Sequence, residues 1–493
     1  MRKRARQAEA VQEVRPANIT EEAGNDRGGK GQAQCGFRQT KNHTDRRVDK
    51  MVSGLSEIRY NIEKANRTDG RVQNLASYIN ETTLNESHRK MDGRKAVGQD
   101  KVTKEEYAAN LESNLENLVK RMKSGSYKPV PSRRAYIPKE GSVKGRPLGI
   151  SSYEDKLVEN VIAGILGYVY EPKFIETSYG FRPGRNCHQA IREIIEMTQY
   201  RKVGYVVEAD IKGFFDNVDH EWLMKFLQHD IADKRFLEIV ERFLKAGIME
   251  DGKFLDSERG TPQGNGASPV LANIYLHYVL DIWFERVFKK TCTGDAYIIR
   301  YCDDFVCCFK KEDEAEKFYE ELIERFAKFG LEIAPDKTKI LEFGRFAKEN
   351  RERRGEGKPE TFDFLGFTVY CSEDSGKGFY RTKVKTSGKK LRSKIKAVKE
   401  WIKQNRHMPV GLLVAKINLK LRGHYNYYGV TDNTRELKKF LNAVKWLLYK
   451  WLNRRSQKRS YSINSFFNGL LRTLPLIEPK ITVSLFYRVP NVV

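Results

Sequence analysis

The chain has 493 residues, a formal net charge of +25 and a pI near 9.5. This length is enough for two or three domains, and a large positive charge spread over the chain indicates a polyanionic partner, foremost nucleic acid. The longest nearly apolar run, at 161–170, is too short to span a membrane, and the N-terminus has no apolar signal segment, so neither membrane insertion nor secretion is expected.

The N-terminal part of the chain reads as an extension followed by helices and two strands. Residues 1–54 are polar and basic with little apolar periodicity, which predicts a mobile extension. From about 55 to 125 the apolar spacing predicts helices, and the segments RRAYIPK and RPLGI predict short strands on either side of the turn EGSVKG. Two more helices are predicted in YEDKLVENVIAGILGYVYEPKF and CHQAIREIIEMTQY.

The central part alternates strands and helices. GYVVEADIKGFFD predicts a strand that ends in acidic residues, and the helix HEWLMKFLQHDI follows it. A long helix (VLANIYLHYVLDIWFERVF), a hairpin (AYIIRYCDDFVCCF) and an amphipathic helix ending at Gly330 come next. This order predicts an α+β domain with a mixed or antiparallel sheet and with helices packed on one face.

The C-terminal part, beyond about residue 385, is helical and strongly basic. Leu391, Ile395, Val398 and Ile402 form one apolar stripe, and lysines cover the rest of that helix. The basic residues that we consider for RNA contact on this helix are Lys389, Lys390, Arg392 and Lys394. They are either a solvated surface or a contact with RNA phosphates, and the sequence leaves both interpretations open.

Cysteines and histidines show no metal-binding pattern. The seven cysteines include no CxxC pair, and the eight histidines include no HExxH motif. Cys307 and Cys308 are neighbours in a predicted strand, so their side chains point to opposite faces and cannot chelate one ion together. We therefore expect reduced thiols of an intracellular protein, mostly in the core, with neither zinc nor disulfides.

The hairpin tip YCDDF, at 301–305, places two adjacent aspartates in a basic chain. Asp is a common turn residue, and turn formation alone would explain the pair. A third carboxylate, Asp210, ends another predicted strand, and it can converge with Asp303 and Asp304 if the two strands are neighbours. Three such carboxylates can hold two Mg²⁺ ions and the triphosphate of an incoming nucleotide, which is the arrangement of a polymerase. Asp216 and Asp219 are interpreted as turn and cap residues.

Ordered motifs extend this hypothesis over most of the chain. ADIKGFFDNVDH, GTPQGNGASPVLANIYLHYVLD, RYCDDF, PDKTK and FDFLGF resemble the motifs of reverse transcriptases. KAVGQDKVT, RRAYIPK, RPLGI and SYGFRPGRNCHQAI resemble the fingers of reverse transcriptases encoded by bacterial group II introns. LRGHYNYYGVTDN and KWLNRRSQKRS resemble their thumb, the maturase or X domain.

The resemblance implies an α+β fold of the right-hand polymerase type. Its parts would be fingers with an N-terminal helical extension at 55–200, a palm with an antiparallel sheet and helices at 201–360, and a primer grip with a helical thumb or maturase domain at 361–493. The chain stops soon after the thumb motifs, so no endonuclease domain is expected.

The resemblance also implies roles at the nucleotide. Lys139 and Arg146 would meet the triphosphate, for which an ammonium and a forked guanidinium are suited, although each is also a common surface residue. Phe215 would lie under the sugar and exclude a 2′-hydroxyl; without the resemblance it is a core residue. Gln263 would lie along the nucleotide, and Lys337 would protonate pyrophosphate.

Further along the chain, Leu365 and Gly366 of FLGF would form the primer grip. Two departures from the family pattern concern the pocket. Cys302 replaces a small residue before the paired aspartates, which leaves the acids untouched. At 265–267 the residues Asn, Gly and Ala stand where a glycine and two apolar residues are common, which predicts a looser and more polar loop near the nucleotide.

The expected function is RNA-directed DNA polymerisation by two-metal nucleotidyl transfer, together with maturase binding of a group II intron RNA that promotes splicing and mobility. The expected partners are an RNA template, intron RNA, a DNA primer or target and dNTPs, in the bacterial cytoplasm. Two alternatives stay open: a host-adopted reverse transcriptase in DNA repair or phage defence, and an RNA-binding splicing factor without polymerase activity. The intact aspartate triad argues against the second. The oligomeric state is not predicted.

Overall fold

The computed structural model describes residues 70–137, 145–256, 258–261, 264–373, 380–458 and 460–486. The predictions for the extension at 1–54, for Lys139 and for Gln263 lie outside these ranges. Within them, no helix combines the length and apolarity needed to cross a membrane. The six cysteines in the described ranges have free thiols.

The N-terminal helices follow the predicted apolar spacing. They are α1 (Glu81–Lys90), α2 (Lys104–Ala108), α3 (Leu111–Lys123) and α4 (Tyr153–Tyr170), preceded by a 3₁₀ turn at Ala76–Tyr78. Side chains cap three of these helices: Asn80, Thr103 and Ser152 accept hydrogen bonds from the backbone N–H groups of Thr83, Glu106 and Asp155. These local signals explain why the helices begin where they do.

The first sheet has the strand order β2-β1-β4-β5. β1 (Ser132–Ile137) and β2 (Arg146–Ile150) are the two predicted strands, and they pair antiparallel. The hairpin of β4 (Ile248–Glu250) and β5 (Lys253–Leu255) joins β1 in parallel and was not predicted. Its strands have only three residues each and bury no side chain fully, so no alternating apolar pattern marks them.

The second sheet lies at the centre of the described chain. Its strands are β3 (Tyr205–Ala209), β6 (Ala296–Tyr301), β7 (Asp304–Phe309) and β8 (Lys339–Glu342), in the order β6-β7-β3-β8. All three pairings are antiparallel. Of the two predicted sheet types, mixed or antiparallel, the structure has the antiparallel one.

Both faces of this sheet are covered, which corrects the expectation of helices on one face. Phe305 and Cys307 point into one core, whereas Val306 and Cys308 point into another. The strand β7 is therefore apolar at nearly every position, which is the pattern of a strand buried on both sides. The alternation also confirms that the two adjacent cysteines face opposite ways.

The helices around the central sheet include one long element with π-helical segments. This helix, α9, begins as Ser268–Leu276 and continues through His277–Asp281 and Phe284–Phe288 to Lys289–Thr291. The others are α5 (Cys187–Tyr200), α6 (Phe214–Asn217), α7 (His220–Asp230), α8 (Lys234–Leu244), α10 (Glu312–Lys328) and α11 (Ala347–Arg353). A 3₁₀ turn at Pro335–Lys337 precedes β8.

The C-terminal region combines a small sheet with three long helices. The sheet has the order β11-β10-β9, with β9 at Phe362–Phe364, β10 at Phe367–Glu373 and β11 at Tyr380–Thr386. The helices are α12 (Gly388–Asn405), α13 (Val410–Tyr428) and α14 (Thr434–Leu452), followed by a π turn at Ser465–Leu470 and a short helix α15 (Leu471–Thr473). Leu391, Val398 and Ile402 of the predicted stripe are buried on α12.

Candidate active site

Strand pairing brings the three predicted carboxylates to one edge of the central sheet. In the β3–β7 ladder Ala209 lies opposite Phe305, and one more step of the same register places Asp210 opposite Asp304. Residues directly opposite in an antiparallel pair have Cα atoms about 5 Å apart. In the β6–β7 hairpin Tyr301 pairs with Asp304, so Cys302 and Asp303 form the two-residue turn. The structure thus brings Asp210, Asp303 and Asp304 together.

The turn that carries Asp303 has an unfavourable backbone at Cys302. The φ angle of Cys302 is +60°, in the left-handed region, where a residue with a Cβ atom costs about 1 kcal/mol. Arg300 Nη1 donates a hydrogen bond of 2.9 Å to the carbonyl oxygen of Cys302. This contact from the buried side of the hairpin holds the turn in its strained shape.

Arg300 is the centre of a buried polar cluster that sequence reasoning missed. Its side chain is 0% exposed and donates to both carboxylate oxygens of Asp281, at 2.7 and 2.5 Å. Arg300 Nη1 also donates to the Asn273 side-chain oxygen at 2.9 Å, and Asn273 Nδ2 donates to the carbonyl of Gly180 at 2.7 Å. A Cβ at Gly180 would clash with the backbone nitrogen of Cys302, so only glycine fits against the turn. The cluster therefore joins α9, the Gly180 loop and the aspartate turn.

The pKa of Asp281 shows that interactions within this cluster offset the cost of burying its carboxylate charge. Burial by itself would raise the pKa of the carboxyl group, but the charge of Arg300 and the interactions of His277 and Arg300 with the carboxylate together outweigh burial, and the pKa lies below its ordinary value. The only sequence signal was an Arg in an otherwise apolar strand, AYIIRY, and an Asp on an apolar helix.

The carboxylates at the sheet edge repel one another. Although Asp304 contacts solvent, nearby protein atoms desolvate its carboxyl group, and together with the charges of Asp303 and Asp210 they raise its pKa to about 7. Lys337 and Arg146 act in the opposite direction. Desolvation also raises the pKa of Asp303. The edge is thus short of positive charge.

Lys337 lies directly against the first aspartate. Its ammonium nitrogen is 2.5 Å from Asp210 Oδ2, and this hydrogen bond is the main reason why the pKa of Lys337 is raised. In the described part of the chain, no group of three or more His, Cys, Asp or Glu side chains has the spacing to enclose a metal ion. In this arrangement the Lys337 ammonium balances the charge of Asp210.

Comparisons with known proteins identify the fold around this edge. Residues 137–369 match the family described as reverse transcriptase (RNA-dependent DNA polymerase). Residues 389–465 match the group II intron, maturase-specific domain. Protein YkfC of Escherichia coli (strain K12) is 33% identical over 280 residues, which are 50% of this chain and 73% of the relative. The chain belongs to the group II intron reverse transcriptases.

Two further relatives show the breadth of this similarity. The group II intron-encoded protein LtrA of Lactococcus lactis subsp. cremoris is 29% identical over 427 residues, 73% of this chain and 70% of the relative. Nuclear intron maturase 1, mitochondrial, of Arabidopsis thaliana is 30% identical over 132 residues, 26% of this chain and 18% of the relative. The expected RNA-directed DNA polymerase, with a maturase-specific domain and a right-hand α+β fold, is confirmed. The relatives include mitochondrial proteins, so they do not establish a bacterial origin.

Phe215 of the reverse transcriptase lies on the short helix α6, five residues after Asp210. Its ring is half-buried and meets the buried Phe214 in an edge contact, with centroids 5.3 Å apart. The backbone of Thr261 donates to the carbonyl of Phe215 at 2.8 Å. One part of the ring therefore packs on the core, and the other part is accessible. Asp219, read as a cap, accepts a hydrogen bond from the backbone of Trp222 and is the N-cap of α7.

The loop at 264–267 is polar, as expected, but it is not loose. Asn265 is buried, and its side-chain oxygen accepts a hydrogen bond of 2.8 Å from the backbone of Ala267. Gly266 N–H donates to Glu159 Oε2 at 3.0 Å, and Ser151 donates to the other carboxylate oxygen of Glu159. Burial raises the pKa of Glu159 to about 7. Hydrogen bonds to a buried acid on the apolar helix α4 therefore hold a loop that was expected to be loose.

The FLGF segment of the reverse transcriptase is a tight hairpin attached to the C-terminal helices. Leu365 and Gly366 both have positive φ angles, +50° and +79°, as a two-residue turn between β9 and β10 requires. Tyr427 of α13 donates a hydrogen bond of 2.9 Å to the carbonyl of Leu365, and Ser387 N–H donates to that of Gly366 at 3.0 Å. The hairpin is thereby tied to α13 and to the residue that precedes α12.

The predicted RNA-contacting residues and Arg146 are all at the surface. Lys389, Lys390, Arg392 and Lys394 are exposed on α12, around the buried Leu391. Arg146 is exposed at the start of β2, and its charge offsets part of the rise in the pKa values of Asp303 and Asp304. These exposed positions suit contacts with phosphate groups.

Proposed function

We propose that Asp210, Asp303 and Asp304 are the catalytic carboxylates of the polymerase and hold two Mg²⁺ ions. Their convergence at one sheet edge is the observation that carries the proposal. Carboxylate oxygens are the hard ligands that Mg²⁺ prefers. Desolvation and then the charges of Asp303 and Asp210 raise the pKa of Asp304, and a divalent cation would relieve this repulsion between carboxylates. When bound, the ions supply activation of the primer 3′-hydroxyl and neutralise phosphate charge.

The remaining residues of the proposed site bind and orient the substrates. Arg146, whose positive charge acts on Asp303 and Asp304, would hold the triphosphate of the dNTP. The accessible part of the Phe215 ring would contact the sugar. Lys337 lies within reach of Asp210 and would donate a proton to pyrophosphate as it leaves. For Lys139 and Gln263, the proposed contacts with the nucleotide are based on the family resemblance. The turn at Leu365 and Gly366 would hold the primer end.

The domain organisation that we propose follows the three sheets. The sheet of β1, β2, β4 and β5 would belong to the fingers at 55–200 with a contribution from the palm segment, the central sheet to the palm at 201–360, and the sheet of β9–β11 with α12–α14 to the primer grip and thumb at 361–493. The strand β1 pairs with β4, which links the fingers to the palm segment.

We also propose that the thumb holds a group II intron RNA and promotes its splicing and mobility, in a bacterial cytoplasm. The maturase-specific domain and the exposed cations on α12 support this proposal. The intron RNA carries out its own chemistry, so the thumb needs only to bind and stabilise it. Charge reversal of the four α12 cations in a folded protein should therefore reduce splicing of RNA transcribed from around the gene, whereas replacing Asp303 and Asp304 by Asn should not.

Primer extension on an RNA template tests the carboxylate proposal. Asp303→Asn should abolish extension and leave RNA affinity unchanged, because it removes a metal ligand without altering the basic surfaces. Asp216→Asn is a matched control, since Asp216 is an exposed aspartate close to the site in sequence but outside the triad. Extension by Asp303→Asn at the wild-type rate would exclude this assignment.

A further inference from the structure

The outer side of α14 carries an exposed tryptophan. Trp446 is 52% exposed. The buried residues of α14 include Leu437, Val444 and Leu448. At 3.6 residues per turn, two residues advance the helix by about 200°, so Trp446 lies almost opposite Val444 and Leu448. Its ring therefore points away from the thumb core and does not contribute to it.

Aromatic neighbours hold this ring in place. Trp446 meets Tyr449 at a centroid distance of 5.9 Å and an interplanar angle of 85°, and it meets Phe467 at 5.1 Å and 64°. These edge contacts fix the orientation of the indole, while half of its surface stays in solvent. A rigid aromatic surface of this kind loses little conformational entropy when a planar ligand stacks on it.

Cations surround the tryptophan on the same side of the helix. Arg435, Lys439 and Lys450 are exposed and lie within about 40° of Trp446 around the helix axis. They span about 22 Å along the axis, at 1.5 Å per residue. Lys439 forms an ion pair of 2.6 Å with Glu436, which is the one acidic residue on α14. We call this surface, formed by Arg435, Lys439, Trp446 and Lys450, the Trp446 face.

We infer that the Trp446 face binds single-stranded RNA, with an unpaired base stacked on Trp446 and with phosphates contacting Arg435, Lys439 and Lys450. Aromatic side chains in a basic groove are the usual means of holding unpaired nucleotides, and stacking tolerates any base. The inference rests on the proposed RNA binding of the thumb and gives it a second contact, separate from the cations of α12. A second copy of the chain would bury Trp446 against a like-charged surface, so RNA fits the charges better.

A binding experiment with an occupied polymerase cleft tests the inference. The full chain is first loaded with a chain-terminated primer–template and the next complementary dNTP, and a short fluorescent oligoadenylate is then titrated. Trp446→Ala should weaken its binding about tenfold, and Trp446→Phe, which keeps a stacking ring, should retain most of the affinity. Leu419→Ala is the matched control, because Leu419 is an apolar side chain 64% exposed on the neighbouring helix α13.

Duplex RNA separates stacking from charge. Paired bases do not offer a face to Trp446, so Trp446→Ala should change duplex affinity little, whereas Arg435→Gln with Lys450→Gln should weaken both ligands. The inference is overturned if the Trp446→Ala variant binds oligoadenylate like the wild type or loses affinity for both ligands equally. It is also overturned if no oligoadenylate binds to the loaded wild-type protein, or if the only effect of Trp446→Ala is to convert a dimer to a monomer. Primer extension by Trp446→Ala should stay normal, which distinguishes this result from failure of the catalytic assignment.

Discussion

Replacing Arg300 by Met should both destabilise the reverse transcriptase and slow DNA synthesis. The substitution removes two hydrogen bonds to Asp281 and one each to Asn273 and the Cys302 carbonyl. Arg300 and Asp281 are both 0% exposed, so the carboxylate would remain buried without its partner. Breaking a buried ion pair in this way costs about 3–5 kcal/mol. Arg94→Met, at an ion pair whose arginine is 91% exposed, is the control and should change stability little.

A double variant separates stability from positioning of the aspartate turn. Arg300→Met combined with Asp281→Leu removes both buried charges, and apolar replacement of a buried pair is often neutral for stability. The carbonyl of Cys302 still lacks its hydrogen bond, so the left-handed turn can shift. A displacement of about 1 Å at reacting groups can cost about 100-fold in rate. We therefore expect recovered stability and an extension rate reduced about 10- to 100-fold.

Thermal unfolding and single-turnover incorporation of one dNTP are the two measurements. The single variant should unfold at a lower temperature than the wild type, and the double variant near the wild-type temperature. Partial recovery of the double variant's rate by a higher Mg²⁺ concentration would fit a displaced carboxylate. A stable double variant that extends primers at the wild-type rate would refute the positioning role, and Arg300 would then be a structural residue only.

Three further predictions use separate parts of the molecule. Phe215→Val should raise ribonucleotide incorporation relative to deoxynucleotide incorporation, and an unchanged ratio would make Phe215 a core residue only. RNA affinity should fall with salt with a log-log slope of about −4 to −5 if about six phosphates are neutralised, and a slope near zero would count against phosphate binding. Burial, helped by the charge of Lys394, lowers the pKa of His424 from 6.5 to about 4. His424 takes up a proton at higher pH in the unfolded chain than in the folded one, so the free energy of unfolding should fall by about 3 kcal/mol as the pH drops from 6.5 to 4. Thermal unfolding of His424→Phe should lack that part of the pH dependence.

Local sequence patterns predicted most elements near the site. The β-branched apolar run and acidic end of GYVVEAD predicted β3, the apolar runs around YCDDF predicted the β6–β7 hairpin, and the apolar spacing of Leu391, Val398 and Ile402 predicted α12. The ordered motifs also led to the family, which the comparisons confirm. These features depend on residues close together in the chain, where side-chain periodicity and capping act.

What the sequence by itself determined, then, is the chemistry available: which strands end in carboxylates, which helix is basic, and which family the motifs resemble. The tertiary structure decided which of these groups meet. Asp210 reaches Asp304 only because β3 pairs with β7, and Glu159 reaches Gly266 across 107 positions of the chain. In the sequence, Arg300 is an unexplained charge in an apolar strand; in the fold, its ion pair with the buried Asp281 explains it. Such pairs are selected by packing and by the need to satisfy buried polar groups, and neither requirement leaves a periodic signal in the sequence.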